Sequence, residues 1–205
     1  MNRIAIACII LSLLTPLFYG QPREPQPAQS RCDLTEAKTP NVRGIRLGMS
    51  LEQLLALFPG SSRRKEMKEA LERAKAAASD EMVYLFFDPA TDANGDRYAG
   101  VDSVSAGIYK GRVMDFTVLY VGPTWRTIDE WVAKLSESFN LPGVQGWVAG
   151  PDENPNRMLR CGEIEIDAAI QGGGGSVRVR NTEYLKEAPE RAKAEEERRR
   201  RAFKP

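Results

Sequence analysis

At 205 residues, 42% hydrophobic and 28% charged, the chain can bury one core or two small ones, which excludes tandem large domains. Lysine and arginine number 29 against 28 acidic residues, a net charge of +1, so no global field favours nucleic acid or an acidic partner. Histidine is absent, which rules out Ser-His-Asp and Cys-His catalysis and histidine-ligated zinc.

Arg3 followed by the apolar run Ile4 to Leu14, then Thr15, Pro16 and Gly20, has the shape of an export signal. The run is short of the roughly 20 apolar residues that span a bilayer, so residues 1–20 read as a signal peptide, with an uncleaved N-terminal anchor as the alternative. Cys8 sits in the middle of the apolar run, which disfavours lipidation there. Removal of the signal leaves Cys32 and Cys161, and an oxidising compartment gives them one possible pairing. A Cys32–Cys161 disulfide is therefore expected; the alternative is two buried free thiols.

Pro22, Pro25, Pro27 and Pro40 among polar residues mark 21–40 as an extended linker. A single domain is expected over 41–185. Ile45 and Leu47 alternate before Gly48 as a short edge strand. Ser50, with Gln53 three residues on, forms a capping box ahead of the stripe Leu51, Leu54, Leu55 and Phe58, and Pro59-Gly60 ends that helix. From Ser61 to Asp80 the composition favours a surface helix, drier along Met67, Ala70, Leu71, Ala74 and Ala78. Its basic entry, Arg63 to Lys65, reads as a solvated face, with a partner or anionic lipid as the sharper alternative.

Met82 to Phe87, Val101 to Tyr109 and Val113 to Val121 are strand-like, and Lys110-Gly111 joins the last two as a tight hairpin. Thr127 caps a second helix carrying Ile128, Trp131, Val132, Leu135 and Phe139 on one side. Short strand-like runs follow at Arg157 to Cys161, Glu163 to Ile170 and Val177 to Arg180. The fold class is α+β: helices packed on an antiparallel sheet, with a helix and three strands stated twice. Residues 186–205 form a charged tail that cannot bury a core.

Candidate chemistry is sparse. Asp92, Asn94 and Asp96 alternate as calcium-loop oxygens do, but an EF-hand register would need glycine where Arg97 stands and an acid where Ser103 stands. Glu163, Glu165 and Asp167 alternate along a strand, a pattern glycosidases could use and a solvated strand side explains more simply. Trp125, Trp131 and Trp147 are the residues that could line a sugar cleft, and Trp131 belongs to a core stripe. Gly172 to Gly175 lacks the ending of a phosphate-binding loop and reads as a flexible hairpin loop.

The stretch GIRLGMSLEQLLALFP, with the later VYLFF and GVDSVSAGIYKGRVMDFTVLYV, resembles the SmpA/OmlA-type outer-membrane assembly lipoproteins. It also looks like the helix-helix-sheet unit of secreted beta-lactamase inhibitor proteins. The corresponding residues are Ile45, Gly48, Met49 and Ser50, and the order of elements extends the likeness from about 44 to 121. What the resemblance implies is an envelope binding or scaffold module without a transferable site.

The reading of the whole sequence is an exported, non-enzymatic binding or scaffold module, periplasmic or extracellular. Its expected partner is an envelope protein or membrane surface, with no nucleic acid, no metal and no cofactor. The alternative is a hydrolase that uses carboxylates or serine without histidine.

Overall fold

A computed structural model describes Cys32, residues 34–76, 81–93, 96–150, 155–172 and 174–184, and isolated positions beyond. The expected signal or anchor and most of the Pro-rich linker lie outside the described residues. No helix among the described residues is long and apolar enough to cross a membrane.

Three elements open the domain: α1 (Leu51–Leu57), α2 (Lys65–Ala76) and β1 (Val83–Phe87). After the short α3 (Pro89–Asp92) come β2 (Val101–Tyr109), β3 (Arg112–Tyr120) and α4 (Ile128–Phe139). Four strands end it: β4 (Val148–Ala149), β5 (Asn156–Cys161), β6 (Ile164–Gln171) and β7 (Gly174–Asn181). All seven strands form one antiparallel sheet in the order β1-β2-β3-β7-β6-β5-β4. The last strand of each half, β3 and β7, thus meets its counterpart at the centre. That pairing fuses the two helix-and-strand halves into a single sheet over a single core.

Local chemistry accounts for the elements that the sequence announces. Ser50 accepts from the Gln53 amide while the Gln53 side chain accepts from Ser50 N, so two amides left over at the start of α1 are satisfied reciprocally. Lys110 and Gly111 both carry positive φ, 49° and 74°, the geometry that matches a two-residue turn to the twist of its strands. A register shift beside Gly107 makes Met114 the extra residue of a bulge, so Val113, Phe116 and Val118 all reach the core. Asn140 ends α4 in the left-handed conformation at φ 52°.

Other expectations are corrected. Ile45 and Leu47 are buried but form no strand: Arg43 and Gly44 turn the chain so that Val42 and Ile45 bridge each other, and Gly48 and Met49 then bond to the tip of the β2–β3 hairpin through Val113. The surface helix begins at Lys65, because Ser61 to Arg63 make a 3-10 turn anchored by the buried Ser61 hydroxyl on the Phe58 carbonyl. Arg64 is not a solvated entry residue; it reaches the Phe86 carbonyl and the buried carboxylate of Asp92 at 2.6 Å. Gly174 and Gly175 lie inside β7 and not in a flexible loop. A Cβ on Gly175 would stand 2.6 Å from the Trp131 ring, so glycine is what lets α4 settle on the sheet.

The packing also reaches back into the expected linker. Cys32 is bonded to Cys161 with Cα atoms 5.1 Å apart, Leu34 packs on the core, and Pro40 is buried. Linking positions 129 residues apart removes loop-closure entropy from the unfolded chain, on the order of 5 kcal/mol in the chain-entropy account.

Candidate functional site

Helices α1, α2 and α4 all pack on one face of the sheet, because β1, β2, β3, β6 and β7 send Leu85, Ala106, Phe116, Ile166 and Val179 to that side. Alternation sends the intervening residues to the opposite face. There the register places Tyr84, Gly107, Asp115, Arg180, Glu165 and Arg160 in one row across six strands.

That row is a ladder of alternating charge. Arg180 Nε donates to Glu165 at 2.6 Å and a second guanidinium nitrogen bonds the same carboxylate oxygen, while Arg160 donates to the other oxygen at 2.6 Å. Arg178, one position along, reaches diagonally to Asp115, with Nε at 3.0 and 3.1 Å from its two oxygens. Arg180 also stands 3.5 Å from Asp167. Tyr84 completes the row by donating to Asp115 at 3.3 Å. It passes over Gly107, where a Cβ would lie 3.1 Å from the tyrosine ring and 2.8 Å from the Met82 sulfur.

Asp115 and Glu165 are 1% and 4% exposed although they lie on the face away from the helices. A carboxylate so buried needs paired hydrogen-bonding cations, and both have them. The hydrogen bond from Arg178 to Asp115 holds that guanidinium in its charged form even more firmly than usual. Burial first, and then the Asp115 charge, pushes up the hydroxyls of Tyr84 and Tyr184, the latter to about 12.

These pairings decide the sequence candidates. Glu163 lies in the turn before β6, where its carboxylate accepts from Lys186 at 2.5 Å, so it does not share the face of Glu165 and Asp167. Neither is the strand side simply solvated, because Glu165 is buried between Arg160 and Arg180. Both Glu165 oxygens are engaged by guanidinium groups, an arrangement that keeps this carboxylate from serving as the proton-donating acid of a glycosidase pair. Asp92 is engaged by Arg64 and by the Asp88 amide, Asp96 is exposed nearby, and Asn94 falls outside the described residues. Among the described residues no three acidic or cysteine side chains gather as metal ligands. Trp147 donates its indole N–H to the Pro142 carbonyl and Trp131 to that of Ser176, so both are pinned in the core; Trp125 and Trp131 line a cavity on the covered side of the sheet, and Trp147 is not part of that lining.

Next to the ladder the same face becomes neutral and accessible. Phe86 on β1 is 65% exposed and Tyr84 40% exposed, unusual for large rings on a strand. Phe86, Ser103, Ser105, Thr117, Leu119 and Gln171 line a shallow groove of about 200 Å3. The sequence signalled β1 as VYLFF but gave no sign that the second and fourth positions would be left uncovered. No family model matches this chain, and neither the curated proteins nor the solved structures contain a match to it.

Proposed function

We propose that this chain is an exported, non-enzymatic binding module that receives a protein partner on the open face of its sheet over β1, β2 and β3. The observation that carries the reading is the exposure of Phe86 and Tyr84 beside a hydroxyl-lined groove, on a platform held by fully paired charges. Aromatic rings with rigid surroundings are the residues that anchor interfaces, since they lose little side-chain entropy on contact. The disulfide supports an oxidising compartment, and the expected export signal points the same way. The likeness of Ile45, Gly48, Met49 and Ser50 to the motif of envelope lipoproteins supports a periplasmic or extracellular site of action, with the N-terminus as a candidate anchor.

A photo-cross-linking amino acid at position 86 tests this in intact cells, with the exposed helix position Glu52 as control. Position 86 should give a discrete protein adduct that Leu119→Arg abolishes, and position 52 should not. Identical adduct patterns from the two positions, or an adduct indifferent to Leu119→Arg, would refute the assignment.

A further inference from the structure

A second site lies on the other side of the sheet from the groove, at the joint between α4 and the end of β3. Tyr120, Trp125, Trp131 and Phe139 wall a cavity of about 250 Å3, with Trp131 5.1 Å from Trp125 and 5.4 Å from Tyr120 between ring centres. A void of about 150 Å3 is enough to take up benzene, so this one has room for a six-membered ring and one small substituent.

Two cations stand at the rim of that cavity. Arg43 stands on one side and Lys134 and Ser138 on the other, and no carboxylate belongs to the lining. Arg43 donates to the Arg97 and Ala99 carbonyls at 3.1 and 3.2 Å and to the Tyr120 hydroxyl, and its five donors leave others for a ligand. Lys134 holds only an exposed ion pair with Glu137, worth little in water and easily exchanged. Trp125 contributes its ring to the wall. Its indole N–H is shut away from solvent and has no acceptor, whereas those of Trp131 and Trp147 are both bonded to carbonyls.

We infer that this cavity binds a small aromatic carboxylate, its ring against Trp125, Trp131 and Tyr120 and its anionic group toward Arg43 and Lys134. Ring walls select a flat apolar body. Two cations at the rim, with no carboxylate beside them in the lining, favour a ligand that carries an anionic group. The inference does not depend on the sheet face being a protein-binding surface, since the two sites share no residue.

Benzoate is the probe, with benzamide as its neutral counterpart and acetate as the anion without a ring. The indole N–H resonance of Trp125, assigned by its disappearance in Trp125→Phe, is followed by NMR in the full chain. Benzoate should shift it saturably, and benzamide and acetate should each bind about tenfold more weakly, the equivalent of one charge-assisted hydrogen bond or one ring lost. Arg43→Gln and Lys134→Gln should each weaken benzoate severalfold and leave benzamide unchanged. Should Arg43→Gln fail to fold, the exposed Lys134→Gln decides alone. A shift that grows linearly without saturating, equal affinity for benzoate and benzamide, or benzoate binding indifferent to the charge substitutions would overturn the assignment.

Discussion

The two faces of this sheet are built from adjacent residues and held by different physics. Asp115 and Phe116 are neighbours on β3, each about 1% exposed, yet one closes an ion pair with Arg178 and the other fills the core beneath the helices. On the covered face shape is permissive, because any apolar side chain of the right size is drawn out of water. On the open face pairing is directional, since Arg180 must oppose Glu165 and Arg178 must reach Asp115 for either carboxylate to be tolerated. A one-residue slip of β7 would move both arginines to the wrong side and bury their carboxylates unpaired. The covered face thus supplies the driving force, and the ladder fixes the register of a sheet whose halves meet only at β3 and β7.

The largest effect should come from the covered side. Phe116→Ala removes a ring from a closed core and should cost about 3 to 5 kcal/mol in chemical denaturation, with no second substitution nearby that restores it without refilling the volume. Asp115→Ala should approach the lower end of the same range, since it strands Arg178, whose side chain keeps 36% exposure. Here rescue is expected. The double change Asp115→Leu with Arg178→Met should recover most of the loss, because an apolar pair of similar volume replaces an ion pair at little net cost. A double-mutant cycle checks this; additive losses would mean that the two residues do not act as a unit.

Alkaline pH separates the faces more gently. Tyr98, its ring tilted against Phe58 at 4.9 Å in the covered core, and Tyr184, packed on Tyr109 by the open face, both have hydroxyls raised from 10.0 to about 12. The folded chain keeps these protons where the unfolded chain releases them, so their contribution is intact below pH 10 and is lost as pH rises toward 12. Tyr184→Phe should flatten the alkaline fall in stability measured by urea titration, and so should Tyr98→Phe. Burial is the first cause at both sites, but only Tyr184 is also raised by the Asp115 charge, so Asp115→Asn should lessen the effect of Tyr184→Phe and not that of Tyr98→Phe.

Local signals were legible in the sequence wherever one segment contained all the partners. Ser50 and Gln53 sit three apart, Lys110-Gly111 lies between two alternating runs, and the stripe through Trp131 lies on one helix. The class of fold and the disulfide followed from such signals and from counting cysteines. What stayed hidden depends on distant partners. The carboxylates of β6 read as a solvated side because their arginines belong to β5 and β7, although alternation in VRVRN, offset against EIEID across a predicted hairpin, carried the signal. Gly175 reads as a loop residue until the ring of Trp131 is placed against it. Ile45 and Leu47 alternate as a strand would, but the positive φ of Arg43, Gly44 and Gly48 turns that segment instead of extending it. Exposure of Phe86 has no local mark at all, since β1 alternates only apolar residues.

The central proposal is that the open face over β1 to β3 receives a protein partner, while the apolar core of the covered face holds the fold. Its most direct test is the yield of the adduct formed by a photo-cross-linker at Ser105, in the groove beside Phe86, when Phe86→Asp is introduced. A substitution at a side chain 65% exposed should change stability by no more than about 0.5 kcal/mol, so the melting temperature serves as the internal control. The account predicts that the adduct at position 105 disappears while the protein melts as before. An adduct of unchanged yield in the folded Phe86→Asp protein would contradict it.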